Sequence, residues 1–151
     1  MQQHLLIKHS NRGLGLRVFG LGPKFTPVKG IQRLQELLSS NTSWAKQRCK
    51  KDIKKMISKS AVVVSAWEDN KMIGFGRTTT DEIYRAILWD IVVDKNYQGL
   101  GIGGEIIKLI INDKNLIKVE KIYVMTTHCE DFYLKMGFKK EKIQKLMMIQ
   151  R

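Results

Sequence analysis

The spacing of apolar residues changes along the chain, and each change predicts an element. Ile31, Leu34, Leu37 and Leu38 recur every three or four residues. That is the period of one helix face, and it predicts a helix opening after Lys29-Gly30 and ending near Ser39-Ser40-Asn41. Trp44, Ile53, Met56 and Ile57 predict a second helix, capped by Thr42 or Ser43 and running to about Ser58. Its outer surface carries Lys46, Arg48, Lys50, Lys51, Lys54 and Lys55. Residues 61–67 read as a buried strand, Glu68-Asp69-Asn70-Lys71 as a turn and residues 72–79 as the hairpin partner. A long strand over 83–93 follows. Ile102, Ile106, Leu109 and Ile110 then return to helical spacing from about Gly101. Residues 119–125 read as a strand, 130–136 as a helix and 138–149 as closing β-structure. Ahead of all these, residues 1–29 hold Gly13, Gly15, Gly20, Gly22, Pro23 and Pro27. A short strand over 14–19 is expected there, in otherwise extended or mobile chain. Two helices, a β-meander, then helix, strand, helix and strand predict a mixed α/β (α+β) fold. It is one domain over residues 1–151, a single sheet with helices on both faces.

Chemistry concentrates where the long strand meets the following helix. Trp89-Asp90-Ile91-Val92-Val93-Asp94 runs through Lys95-Asn96-Tyr97 into Gln98-Gly99-Leu100-Gly101-Ile102-Gly103-Gly104. A strand, a glycine-rich turn and a helix N-terminus make an anion cradle. Unpaired backbone N–H groups and the positive end of the helix dipole converge there, and glycines let a phosphate approach the backbone. Three phosphate loops compete for the pattern. Gly99, Gly101 and Gly104 satisfy G-x-G-x-x-G, and Glu120 stands where a dinucleotide loop wants its acid; that motif, however, opens a first βαβ unit, and this one lies late in the chain. A nucleotide P-loop needs Lys-Ser or Lys-Thr after its glycines, and none follows. The third pattern adds Gln98, giving Q-x-x-G-x-G between strand and helix.

A second segment, Phe132-Tyr133-Leu134-Lys135-Met136-Gly137-Phe138, follows the apolar stretch Ile122-Tyr123-Val124-Met125. The two motifs, in this order and at this separation, resemble the acetyl-CoA-binding pattern of the GNAT superfamily of N-acetyltransferases. The resemblance covers about residues 30 to 150. Through Trp89-Asp90-x-Val92-Val93-Asp94 and Asp131-Phe132-Tyr133 it is closest to the plastid and cyanobacterial branch that includes serotonin N-acetyltransferase-like proteins. It implies a GNAT-like fold with a central, mostly antiparallel twisted sheet. It also implies direct transfer of an acetyl group from acetyl-CoA to a primary amine in a ternary complex. An arylalkylamine such as serotonin is the first acceptor expected, and protein N-termini or lysine side chains are the alternative.

Carried onto this sequence, the resemblance assigns the pyrophosphate of acetyl-CoA to backbone amides of Gln98, Gly99, Leu100, Gly101, Ile102, Gly103 and Gly104. It assigns the pantetheine amides to the strand edge at Ile91, Val92 and Val93, which can equally be ordinary core strand. Tyr133 is placed beside the coenzyme A sulfur. A phenol with a pKa near 10 is protonated at neutral pH and can donate to the departing thiolate; as a core aromatic it would instead pack with Phe132 and Phe138. The base departs from the family pattern. Many relatives place a Glu or His 9 or 11 residues before the glutamine, and here Trp89 and Ile87 stand there. Asp90 points to the opposite face in a regular strand, so it needs a bulge to serve, or it pairs with a backbone N–H. Asp131, ahead of the motif tyrosine, is the second candidate and is equally explained as a charge favourable to a helix N-terminus. Glu130 and His128 are weaker options, a water relay with no dedicated base stays open, and an acetylated Cys129 is a minor one. Trp89 is either an aromatic wall for the acceptor or core.

Net charge is +13 and uneven: residues 1–60 hold 13 Lys and Arg against Glu36 and Asp52, whereas residues 61–151 hold 14 against 12 acids. Coenzyme A needs only a few cations, so the basic half is either a soluble face or a surface for nucleic acid or anionic membrane. That leaves a rival in which a degenerate GNAT domain serves as a binding module. Cys49, Cys129 and the scattered His4, His9 and His128 match no metal spacing, so no metal is expected. No apolar run is long enough for a membrane span, and no secretory signal is visible. Lys outnumbers Arg 20 to 7 and Ile is abundant, as AT-rich coding produces. The expected location is the plastid stroma if the chain is algal and the bacterial cytoplasm otherwise. Oligomeric state is left open.

Overall fold

The computed structural model describes residues 4–9 and 29–151. Among these residues five strands, β1 (Leu5–His9), β2 (Val62–Glu68), β3 (Lys71–Thr80), β4 (Arg85–Val93) and β5 (Lys121–Val124), form one sheet in sequence order. Neighbours are antiparallel from β1 to β4, and β5 joins β4 in parallel. Helices α1 (Gly30–Asn41) and α2 (Lys50–Ser58) precede β2, α3 (Ile102–Ile111) lies between β4 and β5, and α4 (Glu130–Lys135) follows β5. The sheet is mostly antiparallel, with helices on both faces.

Side-chain periods explain the layering. On β2, Val63 and Trp67 face one side with Ile31, Leu34, Leu37, Leu38, Ile53 and Ile57 of α1 and α2. Val62, Val64 and Ala66 face the other, where Ile102, Ile106, Ile107 and Ile110 of α3 cover them. Each of those buried isoleucines contributes roughly 1.5–3 kcal/mol of transfer free energy. Close contact between α3 and β3 depends on Gly76, where a Cβ would stand 2.6 Å from Ile106 and 2.7 Å from Ile91. Between β2 and β1, the buried Ser65 hydroxyl is shared by Trp67 Nε1 at 2.8 Å and His9 Nε2 at 2.9 Å.

Several sequence expectations are corrected. The strand over 14–19 lies outside the described residues, and the first observed strand is the short run Leu5–His9, which pairs with β2. The second helix begins at Lys50, not at Thr42 or Ser43. Thr42 instead closes α1: its N–H and its hydroxyl both donate to Leu38 O, at 3.0 and 2.8 Å. Trp44 is thereby thrown outward, 56% exposed, rather than facing the core. The long strand starts at Arg85 because Asp81 Oδ1 accepts the N–H groups of Ile83, Tyr84 and Arg85 in a tight turn. Residues 138–149 form no strand; Ile143, Leu146, Met147, Met148 and Ile149 are exposed.

Candidate active site

The site opens where two neighbouring strands part. Pairing of β4 with β5 runs from Arg85 with Lys121 to Leu88 with Val124, and there β5 ends. Residues 89–93 of β4 continue without a β5 partner, leaving backbone groups on that edge to bond a ligand. On its other side β4 carries a bulge. Phe75 pairs with Val92 and Arg77 with Trp89, so Gly76 alone faces Asp90 and Ile91. Asp90 takes the left-handed conformation, φ 54°, which Asp tolerates better than most residues.

The bulge fixes what Asp90 does. Its side chain is 4% exposed and sits between two guanidinium groups, with Arg77 Nε 2.6 Å from Oδ2 and Arg48 Nη1 3.0 Å from Oδ1. The sequence reading offered a backbone N–H as its partner, and the partners are these arginines instead. Arg77 also lies over Trp89, 5.7 Å from the ring centre, and Arg48 over Trp44 at 5.1 Å. Trp89 donates to Thr79 Oγ1 at 2.8 Å. Arg48, Arg77 and Trp44 were missed as site residues. A buried carboxylate on a strand demands cations, but its partners stand 13 and 42 residues away in sequence.

Beyond Val93, Asp94 accepts from Asn96 N and anchors Lys71 at 2.9 Å, shaping a single 3-10 turn over Lys95–Tyr97. Gln98 Nε2 donates to Val93 O at 3.1 Å, tying the glycine loop back to the strand end. Gly99 and Gly101 adopt φ 82° and 86°, and Gly101 caps α3 with no side-chain acceptor for the first-turn N–H groups. The cradle therefore presents free donors. A Cβ at Gly101 would meet nothing within 4 Å, so the space before the loop is open to a phosphate. A cavity of about 420 Å³ lies there, walled by Ile91, Val93, Gln98 and the loop on one side and by Cys129, Phe132 and Tyr133 on the other. The residues fit an elongated phosphate-bearing ligand. Of the other expected cofactor residues, Leu100 is an exposed loop residue and Val92 packs its side chain against the α1 and α2 core, positions that leave the contacts expected of their backbone groups unaffected.

A second cavity, about 430 Å³, shares Ile91, Val93, Gln98, Cys129 and Tyr133 with the first. Its remaining wall comes from Asn41 at the end of α1 and Thr42, Ser43 and Trp44 after it, from Leu88, Asp90 and Val92 of β4, and from residues 124–128 at the splay. Tyr133 stands at the junction, 8% exposed, with Phe132 and Phe138 edge-on at 5.0 and 5.6 Å. Burial, with Cys129 adding to it, pushes its phenol up to about 12. Among the described residues none accepts a hydrogen bond from its hydroxyl, so the proton is free for a ligand. Asp131 lies exposed at the start of α4 and lines neither cavity. Glu130 pairs with Lys140 at 2.7 Å, while His128 borders the second cavity.

Comparison with known proteins gives the same reading. A family profile described as "Acetyltransferase (GNAT) domain" matches residues 59–140. The chain is 31% identical over 114 residues to the protein named uncharacterized N-acetyltransferase ycf52 of Pyropia yezoensis, a match that covers 70% of this chain and 63% of that protein. It is 31% identical over 72 residues to GCN5-related N-acetyltransferase 2, chloroplastic, of Arabidopsis thaliana, covering 47% of this chain and 28% of that one. Among solved structures, a GNAT-family acetyltransferase from Xanthomonas campestris pv. campestris superposes with a TM-score of 0.73 at 19% identity. That superposition covers 100% of this chain and 95% of the other, a likeness of fold.

Proposed function

The chain belongs to the GNAT acetyltransferase family, and from that premise we propose that it is an acetyl-CoA-dependent N-acetyltransferase acting on a primary amine by direct transfer. One observation carries this reading: two cavities of similar size, one before the glycine loop and one beside Trp44, share a wall at Tyr133. A donor in the first and an amine in the second would meet there without a covalent enzyme intermediate. Bound acetyl-CoA supplies the activated thioester.

This chain's residues have distinct parts in the reaction. Backbone donors of the Gln98–Gly104 loop hold the pyrophosphate, and the unpaired edge of residues 91–93 aligns the pantetheine arm. A free N–H on that edge also stabilises the oxyanion, a role worth about 3 kcal/mol. A neutral amine attacks the thioester carbon, a C–N bond forms, the C–S bond breaks, and the amine gives up its second proton to solvent. Tyr133 donates its proton to the departing sulfur and regains one from solvent. No unpaired carboxylate lines the acceptor cavity. Asp90 borders the acceptor cavity, but both its oxygens are held by guanidinium groups. Asp131 would need water to reach the site. A solvent path through the cavity mouth fits best.

Of the expected acceptors, the cavity supports a polypeptide amine better than serotonin. Its one carboxylate is already ion-paired, so nothing there selects a small free ammonium ion. The chloroplastic relative supports a plastid location. Coenzyme A release over a panel of arylalkylamines, polyamines and lysine peptides tests the proposal. Turnover of none, in protein shown to bind acetyl-CoA, would overturn it.

A further inference from the structure

The chain that walls the acceptor cavity leads straight into a helix of uncompensated positive charge. Lys50, Lys51, Lys54 and Lys55 are exposed on α2, and Lys46 and Lys59 flank it, also exposed. The inner face is Ile53 and Ile57, so the lysines form the outer face by default, but default does not explain why they stand unbalanced. Lys50 and Lys54, and Lys51 and Lys55, are like charges four residues apart, an arrangement that weakens a helix. Among the described residues none of these six lysines has an ion-pair partner. Lys50 alone feels Glu36. Asp52, the acid of this helix, accepts from Cys49.

The charge continues into the cavity. Arg48, two residues before α2, grips Asp90, which is the only carboxylate among the residues lining either cavity, and Arg77 holds the other oxygen. Two cations on one anion leave the floor net positive. Beyond Cys129, Glu130 is tied to Lys140, and the exposed Asp131 beside it lines neither cavity.

We propose that the acceptor amine is carried on an acidic segment of polypeptide, whose Asp and Glu side chains lie along α2 while the amine enters beside Trp44. The inference rests on the acetyl-transfer reading and names its substrate class. A nine-residue helix is about 13 Å long, too far for a small amine's own anionic group to reach from the cavity. A nucleic acid matches the charge but brings no aliphatic amine. A membrane would want apolar side chains outward, and those of α2 are turned into the core.

The test uses two labelled peptides of equal length, each with one lysine and a blocked N-terminus, one with Asp and Glu flanks and one with Arg flanks. Anisotropy and coenzyme A release are read on the whole chain and on a variant with Lys50→Gln, Lys51→Gln, Lys54→Gln and Lys55→Gln, its fold checked by circular dichroism. The acidic peptide is expected to bind and turn over at least about tenfold better at low salt. That gap should close in the variant and, without any substitution, on raising salt from about 50 mM to about 500 mM. Equal use of both peptides, or a preference that survives in the variant, overturns the inference. So does an oligonucleotide of the same length that displaces the acidic peptide with tenfold tighter binding. Release from small amines with none from either peptide overturns this inference alone, whereas no release from any amine overturns the acetyl-transfer reading beneath it.

Discussion

Gly103 lies against the ring of Phe132: a Cβ placed on it would stand 3.3 Å from Phe132 Cζ and 3.7 Å from Val93 Cγ2. The second half of the glycine run is thus a packing surface for α4, the helix that carries Tyr133, beside its proposed part in holding phosphate. Gly101 differs, with φ 86° and open space where a side chain would go.

The two glycines should therefore fail in different ways. Gly103→Val overpacks the junction, and a loss of about 1–3 kcal/mol in stability is expected, along with a lower kcat as Tyr133 shifts. Gly101→Val costs about 1–2 kcal/mol in backbone strain. Its main effect should be on acetyl-CoA binding, weakened by about 1.5–3 kcal/mol for a blocked charge-assisted hydrogen bond. Calorimetric titration beside thermal melts separates them. Unchanged acetyl-CoA affinity in a folded Gly101→Val protein would remove the loop from the donor site.

Asp90 and its arginines give a second prediction. Asp90→Asn keeps the shape and tolerates the left-handed backbone, but leaves the guanidinium of Arg77, 12% exposed, facing no charge. A cost of about 3 kcal/mol is expected, as for breaking one side of a buried pair. Arg48→Ala should cost about 1 kcal/mol or less, because that side chain is a third exposed and water screens it. Denaturant unfolding measures both. If Asp90 were the base, Asp90→Asn would abolish turnover at a pH where the variant is fully folded. The ion-paired geometry predicts that folded variant to retain measurable activity that an Arg77→Gln variant matches.

How far the sequence reveals this arrangement depends on the range of the interactions. Periodicity locates α1, the β2–β3 hairpin and α3, because each element's burial follows from its own residues. The glycine loop is legible for the same reason, since Gln98 and Gly101 act within a few residues of one another. Thr42 is ambiguous locally: a threonine between two helical patterns can cap the second or close the first, and contact with Leu38 decides. Residues 138–149 end in the apolar run Leu146-Met147-Met148-Ile149, yet the sheet ends at β5 and, among the described residues, no further strand pairs with it. The Asp90 bulge is the least legible feature. Its stabilising partners come from β3 and from the chain before α2, so only the assembled sheet makes the ion pairs.

Direct transfer predicts a bystander role for Cys129. It lines both cavities and is free and exposed, so geometry alone permits an acetylated thiol. Cys129→Ala should keep kcat within a few-fold of the parent, about 1 kcal/mol or less, and initial-rate plots in both substrates should intersect. Parallel plots, or a stable acetyl adduct that the variant cannot form, would reassign the mechanism to two covalent steps.

Tyr133 offers the sharpest test, through pH. The buried phenol, pushed up to about 12, holds its proton far above neutrality. It is a weaker acid than a free phenol, yet it remains a loaded donor throughout the working range. Tyr133→Phe preserves the edge-on packing with Phe132 and Phe138 and removes only the hydroxyl. Loss of a general acid lowers kcat by about 10²–10⁴-fold, with acetyl-CoA affinity and melting temperature little changed. In the parent no alkaline fall in kcat from this residue is expected until pH nears 12, while an acidic limb set by amine deprotonation should persist in both proteins. The same shift predicts stability with a definite sign. A phenol whose folded pKa exceeds its unfolded value contributes stability fully present below about pH 10. That contribution is lost as pH rises through about 12. Ultraviolet phenol titration should accordingly lose one late-ionising tyrosine in Tyr133→Phe. The other late one is Tyr97, raised to about 12 chiefly by its hydrogen bond to Glu68. A Phe variant that keeps half the parental kcat from pH 6 to 10, a span set about the free-phenol value, would reduce Tyr133 to a packing residue and leave thiolate protonation to water.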